Sequence, residues 1–437
     1  MKWTHRIALF GLLIFFLIPN AFSEDVRIVR DNYGIPHIFA DTDEGAAYGL
    51  GYAQAEDRLE QILQNYRTAE GTLSEVLGPD YFQHDYRQRV WRHRDIAKKK
   101  YPEISAKCRG IIEAFQKGVQ KYMDEHPDEV PVWAPKLEPW QVVALSRLVI
   151  WGWPEGDAGE DLKAGGIQPD PIQYHGSNEW LIAPKKSAAG VPIALIDPHL
   201  SWYGIFRFYE ARFYGDTLNL SGVCILGSPI ISLGHNEYLS VAMTTGSGDT
   251  ADVFEETLNP DNPLQYEVDG EWKDMTVRKD VIRVRKEDGS FDDIEVEIHE
   301  TRHGPVVATK DGKAYAMAIP YMEDISLTDQ TYQMMTAKNL DEAKAALSHL
   351  GLMGQNVMVG TVDGDIYYQR TGKVPIRPDG VDPSKPIPGN VSKNDWLGIH
   401  PMEDLVQCEN PPQGYMQNCN VSPFGMMKDS PMRLADY

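Results

Sequence analysis

Two apolar runs separated by turn chemistry constrain this chain more than any other stretch. Trp180-Leu181-Ile182 and Ile193-Ala194-Leu195-Ile196 are each of strand length, and Pro184-Lys185-Lys186-Ser187-Ala188-Ala189-Gly190 lies between them. Apolar runs of that length joined by Pro, Ser and Gly read as an antiparallel hairpin. The hairpin sets Gly176-Ser177-Asn178-Glu179 at the start of one strand and Asp197-Pro198-His199-Leu200-Ser201-Trp202 at the end of the other. Ends of paired antiparallel strands are neighbours, so the Ser177 hydroxyl and the His199 imidazole are expected to share a site. Upstream, the stretch from Gly159-Glu160-Asp161-Leu162 to Gln173-Tyr174-His175 is rich in Gly, Pro and charge, and reads as an exposed, cuttable linker.

Gly176-Ser177-Asn178-Glu179-Trp180, a turn, then Pro198-His199-Leu200-Ser201-Trp202 resembles the penicillin amidase (acylase) family of N-terminal-nucleophile hydrolases. The resemblance implies a precursor that cuts itself before Ser177, which then becomes the first residue of a large subunit. The chemistry is sound on general grounds. A serine hydroxyl is a weak nucleophile near neutral pH and needs an adjacent base. An α-amino group titrates near ~7.7–8.0, close to the pH where a general base works best. An internal Ser177 has only an amide nitrogen, so the uncut chain is expected to be inert.

The other ends of the sequence set the cellular context. Lys2, His5 and Arg6 precede the apolar run Ile7 to Ile18, Pro19-Asn20 break it, and Ala21-Phe22-Ser23 supply small residues at cleavage offsets. This is the pattern of a secretory signal peptide over 1–23, and implies a periplasmic or secreted protein. No other segment approaches the ~20 uninterrupted apolar residues of a membrane span. A net charge of −22 argues against nucleic acid or an anionic membrane surface as partner. Four cysteines (Cys108, Cys224, Cys408, Cys419) allow three pairings in an exported protein; Cys408 and Cys419 flank a turn-rich loop that would bring them together.

Residues 24–153 read as helix-rich after an opening strand, turn and strand over 26–38. A helix is expected from Thr42 to about Leu77, with Asp41/Thr42 as cap and Asp43 and Glu44 in its first turn. Further helices are expected at about 102–126 and 139–153, the second stopped by Pro154. Residues 154–176 form the linker, and 177–437 are dominated by strands. Leu340 to Leu350 is read as a short helix capped by Asn339, and Asn356 to Gln369 as a hairpin turning at Asp363-Gly364. His299-Glu300-Thr301-Arg302-His303 satisfies the zinc-protease pattern His-Glu-x-x-His. That pattern needs a helix, whereas the flanks alternate like a strand and end in Gly304-Pro305. On a strand the two imidazoles stand about 13 Å apart, so zinc is rejected.

The resemblance runs from about Val26 to Pro423. It implies an α+β fold, the four-layer α/β/β/α arrangement of N-terminal-nucleophile hydrolases. It implies a self-processing acylase that cleaves an acyl group from an amine through a Ser177 acyl-enzyme, its two chains staying together after the cut. His199 occupies the position after the second strand, as in the cephalosporin/glutaryl and acyl-homoserine-lactone branch. The Thr245 N–H and the Asn356 side-chain amide are the implied oxyanion donors. Asp249, the Ala251 carbonyl and Asp252, with Glu160 from the linker, are the implied ligands of a structural calcium ion, whose hardness suits such oxygens. Glutaryl-type members carry an acyl-pocket arginine; the matching segment here, Ser228-Pro229-Ile230-Ile231-Ser232-Leu233, has no cation. An apolar acyl group, aromatic acetyl or fatty, is therefore expected. Family members continue beyond the point where this sequence stops, and their tail supplies a late acidic residue that supports the amine. The alternative carried with the acylase reading is a truncated, inactive acylase-like exported protein.

Overall fold

The chain is described by a computed structural model over residues 25–168, 176–246, 248–424, 426–433 and 436. The signal segment 1–23 and part of the expected linker lie outside these residues. Short strands Arg27–Arg30 and Pro36–Phe39 open the described chain. The helix Asp43–Glu70 follows, with the Thr42 side chain accepting from the Gly45 N–H and Gly71 closing it at φ 65°. The expected single helix to Leu77 thus divides, and Ser74–Leu77 forms a separate turn. Helix Ala106–Glu125 lies where the apolar spacing places it.

Helix Trp140–Ala164 departs from expectation, because it runs through Pro154. A proline inside a helix removes one hydrogen bond and costs about 3 kcal/mol. Burial outweighs that here: Ile150, Trp151, Ala158 and Leu162 pack with Ala251 and Val253 in one core cluster. Each large apolar side chain removed from water contributes about 1.5–3 kcal/mol. Helices Phe82–Trp91 and His93–Lys100, rich in charge, carry no clear apolar stripe and escape a sequence reading.

Two sheets position the site. A nine-stranded sheet runs, edge to edge, through Arg27–Arg30, Pro36–Phe39, Phe208–Tyr214, Asn219–Ile225, Leu233–His235, Leu239–Thr245, Gln355–Thr361, Ile366–Arg370 and Gln407–Glu409. A three-stranded sheet has Gly176–Ile182 at its centre, between Ile193–His199 and Tyr415–Asn418. Successive residues of a strand face opposite ways, and each face of the large sheet has its own core. Val241, Val357, Val359 and Tyr367 pack toward the helices. Ala242, Met358 and Tyr368 pack toward Leu181 and Ala183 of the small sheet. Helices, large sheet and small sheet give three layers of the expected α/β/β/α sandwich. On the outer face of the small sheet Trp180, Ile193, Leu195 and Tyr415 are 42–49% exposed.

A six-stranded sheet and the hairpin Thr276–Arg285/Phe291–Glu300 complete the β-rich half. His299 ends a strand of that hairpin, and His303 lies past it, between Glu256 and Asp395. Neither is helical, as the rejection of zinc requires. Cys408 and Cys419 are both free thiols; Cys408 sits opposite Tyr368 in the large sheet, while the Cys419 thiol donates to Gln417. The expected loop closure does not occur because Cys408 lies in the large sheet, whereas Cys419 follows the Tyr415–Asn418 strand of the small one.

Candidate active site

Ser177 is the second residue of the central strand of the small sheet, and its side chain faces the large sheet, 5% exposed. Its hydroxyl donates to the Gly176 carbonyl at 2.5 Å, the carbonyl of the bond that processing would break. Its N–H donates to Asn420 Oδ1 at 2.8 Å, and its carbonyl accepts from the Thr244 hydroxyl at 3.0 Å. Gly176 has a steric reason to be glycine: a Cβ there would stand 2.6 Å from Asn420 Oδ1.

Strand register corrects the expectation for His199. Ser177 pairs with Pro198, while His199 pairs with Gly176 and so points to the opposite face. The imidazole is 53% exposed, with Asp197 Oδ2 at 3.0 Å. What His199 brings to Ser177 is its backbone N–H, 3.4 Å from Oγ.

Asn356, on the face of the large sheet that is turned toward the small sheet and Ser177, is fully buried. The Tyr368 hydroxyl donates to its Oδ1 at 2.6 Å, which fixes the amide so that Nδ2 donates to the Thr245 carbonyl at 3.1 Å. An amide nitrogen carries two hydrogens, and this bond uses one. The Asn420 amide donates to the same carbonyl at 3.1 Å and to the Thr244 hydroxyl. Thr245 is therefore held at the end of its strand by two side-chain amides, and its own hydroxyl accepts from Trp153 Nε1 at 3.2 Å. Asn420 is the residue that sequence reasoning missed. It comes to Ser177 only because Tyr415–Asn418 pairs with the nucleophile strand, Asn418 opposite Glu179. The Asn-Cys-Asn run was the one visible signal.

Beside Ser177 opens a cavity of about 150 Å³. Leu145, Val149 and Trp153 wall it on the helix side, and Phe206, Phe208, Ile230, Leu233 and Met243 on the sheet side. None of its lining residues is charged, in line with the expectation for the 228–233 segment. An engineered apolar cavity of about 150 Å³ holds a benzene molecule, so this one has room for an aromatic ring.

The acidic loop is assembled differently from expectation. Glu160 is at the surface, its side chain 56% exposed and 2.5 Å from Lys163. Asp157 and Asp161, four apart on the helix and so on one face, reach the loop instead. Asp157 accepts from the Thr250 hydroxyl at 2.8 Å, and Asp161 from the Val253 N–H at 3.3 Å. The buried Arg377 guanidinium lies 3.0 Å from Asp249, 2.9 Å from Asp252 and 3.5 Å from Asp436. Burial, with Asp252 near by, pushes the Asp161 carboxyl up to about 8. Burial pushes Asp157 up to about 6 and raises Asp249 and Asp252 as well. Asp252 Oδ1 is buried and makes no hydrogen bond, whereas Asp249 Oδ1 is the oxygen that faces Arg377. Carboxylate oxygens suit a hard cation, so Asp252 fits the expected ion, Asp249 fits it in competition with Arg377, and Glu160, at the surface, does not. Among the described residues no three His, Cys, Asp or Glu groups converge closely enough to hold a metal by themselves. Carbonyl oxygens, that of Ala251 included, would have to complete the shell.

Comparison with known proteins agrees with this geometry. The penicillin amidase family model matches residues 25–436. The chain is 26% identical to penicillin G acylase of Escherichia coli, covering 94% of this chain and 60% of the relative. It is 25% identical to an acyl-homoserine lactone acylase of Pseudomonas fluorescens, covering 91% and 56% respectively. A penicillin acylase 2 proenzyme of a Pseudomonas species is 25% identical, covering 91% and 58%. The chain thus spans a little over half the length of these relatives. Among solved structures, a thermostable penicillin G acylase from Alcaligenes faecalis superimposes with a TM-score of 0.54 at 27% identity, covering 58% of this chain and 45% of that one. With the family model matched over nearly all of the described chain, this protein belongs to the penicillin amidase family.

Proposed function

We propose that this chain is a self-processing acylase that hydrolyses the amide bond between an apolar acyl group and an amine, through an acyl-enzyme on Ser177. The observation that carries the reading is the placement of Ser177, with its N–H on Asn420 and its hydroxyl on the Gly176 carbonyl, at the wall of an uncharged apolar cavity. In the first stage Oγ attacks the Gly176 carbonyl carbon, the Gly176–Ser177 peptide becomes an ester, and water releases Ser177 as a new N-terminus. The freed α-amine inherits the position of the Ser177 N–H, oriented by Asn420 Oδ1. In the second stage that amine takes the proton of its own hydroxyl as Oγ attacks the substrate carbonyl. The Thr245 N–H and the second Asn356 amide hydrogen meet the oxyanion, and preorganised donors of this kind are the largest single contribution in such reactions. The proton passes to the leaving amine, and water attacks the ester under the same base. His199 acts through its main chain, not its imidazole.

Calcium, when bound, would be held by Asp249, Asp252 and the Ala251 carbonyl, tying the loop to the Trp140–Ala164 helix through Asp161. The two chains produced by processing remain one heterodimer, and the protein works in the periplasm or outside the cell, a reading that rests on the signal-like pattern at 1–23. The test is turnover of a phenylacetyl anilide, with Ser177→Ala as control. Aniline release by the wild type alone supports the reading; equal release by Ser177→Ala refutes it. A ring-sized cavity further predicts that phenylacetyl is cleaved faster than a long-chain acyl anilide.

A further inference from the structure

The acyl cavity is uncharged, so any charge on the substrate must be met on the leaving-group side, and one cation stands there. A second hollow, about 370 Å³, shares the wall Pro198, Leu200, Phe206 and Phe208 with the acyl cavity. Pro198 is the register partner of Ser177, which lines the acyl cavity, so the wall that the two hollows share stands beside Ser177. The rest of the second hollow is Ser201, Trp202, Tyr203 and Arg207, and Arg207 is its only charged residue.

Arg207 is anchored but not neutralised. Its Nε donates to the Trp202 carbonyl at 3.1 Å, and its guanidinium lies 5.9 Å from the centre of the Tyr203 ring. Among the described residues no carboxylate pairs with it, although acidic residues outnumber basic ones by 64 to 42. Other arginines show what such a surplus usually does: Arg30, Arg302 and Arg377 each hold carboxylates. The planar fork of a guanidinium matches a carboxylate with two parallel hydrogen bonds. Trp202 and Tyr203, 83% and 75% exposed beside it, offer aromatic faces to the body of a bound molecule.

We propose that the leaving amine carries a carboxylate, so that N-acyl-amino acids are preferred substrates, and that Arg207 recognises that carboxylate. The proposal rests on the acylase reading and adds the class of amine to it. A neutral amine, a lactone included, would gain nothing from Arg207.

The test compares N-phenylacetylglycine with N-phenylacetylglycinamide, which differ only in the charge, on the wild type, Arg207→Gln and Arg207→Lys. For the wild type, kcat/KM should favour the acid roughly 10–100-fold, the range of a charge-assisted hydrogen-bonded pair. In Arg207→Gln the ratio should fall to near one, mainly through KM, and Arg207→Lys should restore part of it. A wild-type ratio near one, or a ratio unchanged in Arg207→Gln, overturns the proposal. Calorimetric binding of the same two compounds reads Arg207 independently of turnover. Tighter binding of the acid by the wild type but not by Arg207→Gln supports the assignment even if neither compound is cleaved, an outcome that would count against the acylase reading alone. Equal affinities in the wild type overturn it.

Discussion

Asn356 and Thr245 are assigned the same duty through different atoms, and their variants therefore separate. A side-chain N–H aimed at developing charge acts mainly in the transition state, so Asn356→Ala should lower kcat by roughly 10²–10³ with little change in KM. Thr245 offers a backbone N–H, which Thr245→Ala keeps and Thr245→Pro removes; steady-state kinetics should show the first active and the second not. Glu179, two residues from Ser177, is fully buried, with no cation among the described residues beside its carboxyl and the Met358 backbone N–H close to it. Burial holds its carboxyl well above the usual range. As pH rises past ~4.3, the value for an unperturbed glutamate, the unfolded chain loses this proton first and the native state keeps it. The contribution of Glu179 to stability therefore falls with rising pH. Glu179→Gln should melt higher than the wild type at pH 8, and the difference should vanish at pH 4; a difference independent of pH would contradict this. At this scale the sequence reading names Ser177, Thr245 and Asn356, which the fold brings together, and expects beside them the His199 imidazole, which the fold turns away. The physical reason is the two-residue period of a strand, which puts Pro198, not His199, opposite the serine.

The helix Trp140–Ala164 shows where element-level reading succeeds and where it fails. Its start is legible in the sequence, and Pro154 reads as its end because proline breaks isolated helices. Tertiary burial of Ala158 and Leu162 overrides that preference. The acidic loop depends on that extension: without the helix, nothing in the sequence sets Asp157 and Asp161 on one face and Glu160 toward solvent. The hairpin of Gly176–Ile182 and Ile193–His199, by contrast, was fully legible, since both strands are apolar runs bounded by turn residues. The loop yields a test of the calcium assignment. A ligand bound only by the native state at 100 times its Kd adds about 2.7 kcal/mol. Chelation should accordingly lower the melting temperature by several degrees, and Asp252→Asn should abolish that sensitivity, whereas Glu160→Gln should not. A melting curve indifferent to chelator, in protein shown to be free of metal, would remove calcium from the account.

Across the whole molecule, Ser177 sits where two sheets meet: the small sheet brings Ser177, the large sheet brings Thr244, Thr245 and Asn356, and the loop after Asn418 brings Asn420 to join them. The division into a helix-rich first part and a strand-rich second part is readable from the spacing of apolar residues, whereas the α+β class follows from the family resemblance. The pairing of Tyr415–Asn418 with the Ser177 strand is not readable, because it joins residues more than 230 positions apart and leaves no local signal. Everything proposed for the site depends on Ser177 becoming an N-terminus. The direct measurement is the mass and N-terminal sequence of the polypeptides in purified wild type and Ser177→Ala. The account predicts two chains in the wild type, the larger beginning Ser-Asn-Glu-Trp, and one uncut chain in Ser177→Ala. Cleavage at the same bond in Ser177→Ala, or a wild type that turns over substrate while uncut, would contradict it.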